Sequence, residues 1–259
     1  MNKVEETNRH KLIWDFQKEI IKVYEENDLT NLSGLHRDFI LNGKNILKWY
    51  YEAIETKNAR DPNFDFHRCF DDLIFCSDEI LFYTALLYLY RPYLQNPIED
   101  AYPFDGKIIY PYTQTIEVSR FNMFTNSLYE KIYNYWDRIG DLIAAFFPDI
   151  FKDSSNIYFV KSIDKFPSKF SNSENFLWLK SFRDNQFKEV NSKRVRIVHY
   201  ELAGTSNRWD HIENPTNKLA IEKIVNERNN LPDFFKDHIN YTKIGFEKTI
   251  QLIEEITIK

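Results

Sequence analysis

FNMFTNSLYEKIYNYWDRIGDLIAAFF, residues 121–147, decides the fold class of this 259-residue chain. Phe121, Phe124, Leu128, Ile132, Tyr135, Trp136, Ile139, Leu142, Ile143 and Phe146 recur at steps of three and four. That spacing lays apolar side chains along one side of an α-helix. The stripe predicts a long helix over residues 119–147, with Pro148 ending it.

The same periodicity extends in both directions. Upstream, Leu12, Ile13, Phe16, Ile20, Val23 and Tyr24 predict one helix. Phe39, Ile40, Ile46, Leu47, Trp49 and Tyr50 predict a second over residues 35–54, and Asp61-Pro62-Asn63 interrupts the pattern. A third covers residues 66–94 and stops near Arg91-Pro92. Residues 96–115 hold Pro97, Pro103, Gly106 and Pro111 and read as an irregular connection with a short strand at 107–110. This connection divides a helical N-terminal part, residues 1–100, from a helical C-terminal part, residues 115–259.

Downstream, a helix is expected over residues 173–201, capped by Ser173, broken near Asn191-Ser192 and ended by Gly204. A short helix follows between Asn214-Pro215 and Asn230. The last opens at Pro232, a favourable first-turn residue, and runs through Phe235, Ile239, Phe246 and Ile250. The prediction is therefore an all-α protein.

Composition narrows the function. Aromatic residues make up 17% of the chain, so Phe, Tyr and Trp are expected to dominate the core. The net charge of −5 argues against coating nucleic acid by bulk charge, while leaving room for a local basic cleft. Two cysteines, Cys69 and Cys76, make no secreted disulfide framework. No signal segment or bilayer-length apolar run is read, so a cytoplasmic location with no membrane partner is expected. Phosphate-cradling glycine loops, the serine-hydrolase elbow and the H-E-x-x-H zinc pattern are all missing from the sequence. His67, Cys69 and Cys76 form H-x-C-x6-C, which fits no ordinary zinc module, and no metal or cofactor is expected.

The chemistry-bearing stretch is Lys193-Arg194-Val195-Arg196-Ile197-Val198-His199-Tyr200-Glu201. Arginine keeps its charge and grips phosphate in a fork, and histidine moves protons near neutral pH. Arg194 and His199 fit R-x4-H, and with spacings of four to six allowed a chain of this composition meets such a pattern about once by chance. Arg60 and His67 fit R-x6-H, but that match straddles Asp61-Pro62 and is set aside. Five residues on an ideal helix turn through about 140°, so Arg194 and His199 diverge unless a helix end unwinds or a second copy faces them. Lys188, Lys193, Arg196 and Arg208 make the surroundings locally basic. Asp137 and Asp141, one turn apart beside Arg138 on the long helix, read first as a solvated face with local ion pairs.

With its long preceding helix, its loop and its closing amphipathic helix, the motif region resembles the HEPN superfamily (higher eukaryotes and prokaryotes nucleotide-binding). Its members are small all-α bundles carrying R-x4-6-H. The resemblance covers residues 115–259 and leaves residues 1–100 as a helical extension. It implies a metal-independent endoribonuclease that works as a homodimer, with Arg194 on the scissile phosphate and His199 as general acid or base. The RNA 2′-hydroxyl would be the nucleophile. Arg196, Tyr200, Glu201 and Asp137 would be supporting residues. RNA or a nucleotide is the implied ligand, and an antitoxin or defence protein a possible partner of such families. Val195 departs from the usual polar residue after the arginine, and Tyr200 follows the histidine directly where a subset carries its tyrosine two places on. Two further readings stand beside the ribonuclease. One is a non-catalytic nucleotide- or protein-binding module with a degenerate motif, and the other is a structural protein with an accidental match.

Overall fold

The computed structural model describes residues 3–33, 40–57, 61, 63–151 and 157–256. Leu35 and Phe39 of the expected second helix, and Arg60 of the discarded match, lie outside them. The architecture is all-α, with two short hairpins among the described residues. The helices are α1 (Lys3–Glu26), α2 (Ile46–Lys57), α3 (Phe66–Tyr90), α4 (Ile116–Ala144), α5 (Pro148–Phe151), α6 (Phe159–Asp164), α7 (Glu174–Phe182), α8 (Lys188–His199), α9 (Ala203–Glu213) and α10 (Lys218–Glu255). The hairpins pair β1 (Ile40–Leu41) with β2 (Lys44–Asn45), and β3 (Tyr102–Phe104) with β4 (Lys107–Ile109).

α4 is the axle of the bundle. Thr115 caps its first turn by accepting from the Val118 amide. At 29 residues it is about 43 Å long. α3, α6, α8 and α10 all pack on it. Phe121, Tyr135 and Trp136 are fully buried on its core side. Trp136 stacks on Phe182 at 4.1 Å and meets Phe159 at 4.8 Å. α10 comes close only because position 245 is glycine, where a Cβ would lie 2.1 Å from the Trp136 ring. One continuous core runs from Ile20 of α1 to Ile256.

Several local expectations are corrected. The expected helix over 35–54 begins only at Ile46, because Asn42 and Gly43 take positive φ (50° and 77°) and turn the chain into a hairpin. Asp105-Gly106 does the same between β3 and β4. The helix beginning at Glu174 does not break at Asn191-Ser192. It runs on through a wide π turn at Arg183–Phe187. A five-residue repeat matches a π turn, so Phe182 and Phe187 face the core together, 6.4 Å apart. Gly204 does not terminate that helix. The chain leaves helical geometry at Tyr200, and Gly204 sits in the first turn of α9 against Asn122. Pro232 opens no helix either, because α10 is a single element of 38 residues with Pro232 buried inside it. The apolar stripe on both sides of the proline, Ile221 and Val225 before and Phe235 and Ile239 after, offsets the hydrogen bond that Pro232 cannot donate. Pro148, expected to end α4, starts the single turn of α5.

α1 is half packed. Ile20, Val23 and Tyr24 are buried, whereas Leu12, Ile13, Trp14 and Phe16 of the same helix stand largely exposed. Phe66–Tyr93 is long and apolar enough to cross a bilayer, but half of its most apolar window is buried within the bundle, as in the core helix of a folded domain. Of the aromatic run on α3 and beyond, Tyr88 is buried, Phe82, Tyr83 and Tyr90 are half-buried, and Phe75 and Tyr93 are exposed.

Candidate functional site

α8 is docked by Val190, fully buried, and by the half-buried Ile197. Arg194 lies one turn after Val190 and is carried to the α4 seam. Its guanidinium carbon stands 3.9 Å from the centre of the Tyr133 ring, a cation–π contact on a half-buried face. The Arg194 Nε is enclosed, with no hydrogen-bond partner among the described residues.

Asp137 follows Tyr133 by one turn of α4 and accepts from the Phe159 amide at 3.3 Å. Burial pushes its carboxyl up to about 6. The Phe159 amide, Arg194 and the Tyr133 hydroxyl hold it down, while Asp141 adds to the rise. Tyr133, Asp137 and Arg194 are therefore one electrostatic unit spanning α4 and α8. The neighbouring acid turns away from it. Asp141 accepts from Arg138 at 2.8 Å, and Arg138 also pairs with Asp72 of α3 at 3.3 Å. Burial raises the Asp141 carboxyl too, with Arg138 opposing the shift.

His199 is the last residue of α8 and is exposed, its ring 6.4 Å from that of Tyr200. Tyr200 is 81% exposed. The helix end is tied down elsewhere. The amides of Tyr200 and Glu201 both donate to the Arg196 carbonyl at 2.9 Å. The Arg196 side chain pairs with Glu201 at 3.3 Å and donates to the Ser206 hydroxyl of α9 at 2.8 Å. Thus Arg194 joins Asp137 at the seam, Arg196 joins Glu201 at the turn, and His199 with Tyr200 faces outward. Within one chain Arg194 and His199 leave α8 about 140° apart.

A third face of α8 borders a cavity of about 380 Å³ between α4, α8, α9 and α10. Glu189, Lys193, Arg196 and Ile197, spaced i, i+4, i+7 and i+8, form its α8 wall. Arg194 and His199 are not among its lining residues.

Two partners of the motif, Tyr133 and Ser206, and two residues of the cavity wall, Arg228 and Phe234, are not placed by the sequence reading. Tyr133 was legible only as an aromatic one turn before Asp137. Ser206 lay behind a chain break that was placed too late. Arg228 and Phe234 belong to a helix that was cut in two at Pro232. The cysteine–histidine cluster is dispersed: Tyr51 and His67 meet at 2.6 Å, the buried Cys69 thiol lies 3.7 Å from the Arg138 carbonyl oxygen, and Cys76 is half-buried. Burial pushes the Cys69 thiol up to about 12 and that of Cys76 to about 11, so neither is an activated nucleophile.

The model of the Cthe2314-like HEPN family matches residues 107–255, from β4 to the end of α10. The chain belongs to the HEPN superfamily. No curated protein matches the chain, and no solved structure matches it. The match covers every motif residue and begins after α3. α1, α2 and α3 are thus additions in sequence to the HEPN portion, although α3 packs directly on its central helix.

Proposed function

We propose that this HEPN protein cleaves RNA without a metal, using Arg194 and His199 from two copies of the chain. The observation that carries this reading is the contrast within α8. Arg194 is oriented by Tyr133 and Asp137, while His199, five residues on, is presented to solvent on a different side. A two-fold partner laying its own α8 alongside would bring one chain's arginine to the other's histidine. Arg194 would then draw charge from the phosphate oxygens. His199 would take the 2′-hydroxyl proton as O2′ bonds to phosphorus, or give a proton to the departing 5′ oxygen. The products are a 2′,3′-cyclic phosphate and a 5′-hydroxyl end, and DNA, which has no 2′-hydroxyl, is spared. Tyr200 beside the histidine would stack on a base. A cytoplasmic toxin or defence setting, with an antitoxin or sensor partner, is part of the same reading.

A second reading has its own support. The Arg194 Nε is enclosed and its guanidinium lies against Tyr133, which suits an anchored structural arginine in a non-catalytic nucleotide- or protein-binding module. Incubation of the purified protein with single-stranded RNA in EDTA, beside His199→Ala, separates the two. Cleavage that persists in the chelator and is abolished in the variant is expected for the ribonuclease. Intact RNA with the wild-type protein at high concentration, while it sediments as a dimer, would leave the binding module.

A further inference from the structure

The cavity behind α8 has a built interior. At about 380 Å³ it falls in the range of about 300–1,000 Å³ typical of small-molecule sites. Its apolar floor is aromatic and aliphatic: Tyr129 and Phe234, whose rings lie 6.2 Å apart, with Leu231 and Ile197 beside them. Tyr129 is buried, and the other three are half-buried and so leave part of their surface uncovered. A flat ring is the shape such a floor accepts.

The three acids and three bases of the rim balance in number but not in pairing. Glu201 is neutralised by Arg196, and Glu227 is paired with Lys223 at 3.8 Å. Among the described residues, neither Lys193 nor Arg228 has a carboxylate within 4.0 Å. Arg228 spends one Nη on the Gln95 carbonyl at 2.6 Å, while its Nε is enclosed without a partner. Burial lowers its pKa, so its charge is held at a cost no acid offsets. Two uncompensated cations therefore stand against one uncompensated carboxylate, Glu189, which is exposed. An incoming anion would gain from both.

We propose that this cavity binds a small aromatic anion, a flat ring carrying a phosphate or carboxylate, with the ring over Phe234 and Leu231 and the anion between Lys193 and Arg228. The proposal does not depend on ribonuclease activity, because neither Arg194 nor His199 lines the cavity. Two sources share this chemistry, a mononucleotide and an aromatic carboxylic acid. Adenosine monophosphate and indole-3-carboxylate represent them, and inorganic phosphate tests whether the ring matters.

Calorimetric titration of the full chain with the three probes is the test. Saturable binding by at least one ring-bearing probe is expected, and which one binds identifies the source. Lys193→Glu, a charge reversal on an exposed residue, should weaken that binding by about tenfold or more. Leu231→Trp, which fills the floor, should abolish it. Binding of inorganic phosphate as tight as that of the ring-bearing probes would overturn the assignment of the floor. No binding by either ring-bearing probe, or binding unchanged in Lys193→Glu, would overturn the proposal outright. The lysine variant decides alone if Leu231→Trp does not fold.

Discussion

Around Trp136 the chain leaves no room: the ring is fully buried, stacked on Phe182, edged by Phe159 and pressed against Gly245. Around His199, on a helix packed against the same α4, the chain is open: Val198, His199 and Tyr200 are exposed, and the turn is pinned by Arg196. Both regions are rich in rings and both lie within the HEPN portion. The difference is one of purpose. A close-packed seam fixes where the helix ends lie, and an open end leaves its side chains free to meet something else. Arg194 sits between the two regimes, with one side on Tyr133 and its charge near the surface.

The comparison breaks most readily by truncation. Trp136→Ala should cost about 3–5 kcal/mol in urea unfolding, through lost transfer energy and the cavity left behind. His199→Ala should stay within about 0.5 kcal/mol of wild type, as surface substitutions do. A comparable loss for both would mean that His199 is structural and that the open end is not open.

Acid sharpens it next. His238 is buried among Phe182, Phe234 and Tyr241, with its Nδ1 unpartnered among the described residues, and burial lowers its pKa to about 3. The unfolded chain takes up a proton near pH 6.5, which the folded chain refuses until about pH 3. The contribution of His238 is thus full above pH 6.5 and falls by about 1.4 kcal/mol per pH unit below it, a loss of about 2–3 kcal/mol near pH 4.5 that the raised carboxyl of Asp137 partly offsets. His238→Phe should flatten that acid limb in pH-dependent unfolding. A limb of unchanged slope would mean that other groups set it.

Gly245→Ala tests the close approach directly. The added methyl meets the Trp136 ring at 2.1 Å, so one helix must move. A loss of about 1–3 kcal/mol is expected in thermal unfolding. The double variant with Trp136→Phe should recover part of it, because the two positions share one contact.

The fold was legible where periodicity alone decides. The stripe from Phe121 to Phe146 could be little else than a buried helix face, and it proved to be the axle. Legibility failed where a local signal has two meanings. Ile40, Ile46 and Leu47 fit helical spacing, yet Asn42-Gly43 between them supplied the positive φ of a hairpin. Pro232 reads as a helix start in any short window, and packing against α2, α3, α4 and α7 carries α10 through it. In the candidate site, the motif stands out in the sequence because histidine is rare in the chain. Its partners do not, since Tyr133 and Ser206 reach Arg194 and Arg196 only through tertiary structure. Asp137 shows the boundary: its place one turn from Asp141 suggested a shared role, but the fold sends the two acids to different arginines.

The smallest expected effect tests what the open end is for. Glu201 holds Arg196 at 3.3 Å, an exposed pair of the kind worth about 0–1 kcal/mol, so Glu201→Gln should barely change stability. Its effect on RNA separates two roles. If Glu201 serves mainly to neutralise Arg196, the substitution frees a cation beside His199, and RNA affinity should rise, with a steeper fall as salt increases. If Glu201 instead orients His199 for proton transfer, affinity should hold while cleavage drops. The structure favours the first outcome: the carboxylate is paired with the guanidinium, and the imidazole's ring neighbour is Tyr200. A filter-binding titration across salt concentrations, run beside a cleavage assay, reads both quantities on the same protein. A loss of cleavage with unchanged affinity would move Glu201 from a brake on phosphate binding to a positioning residue of the histidine.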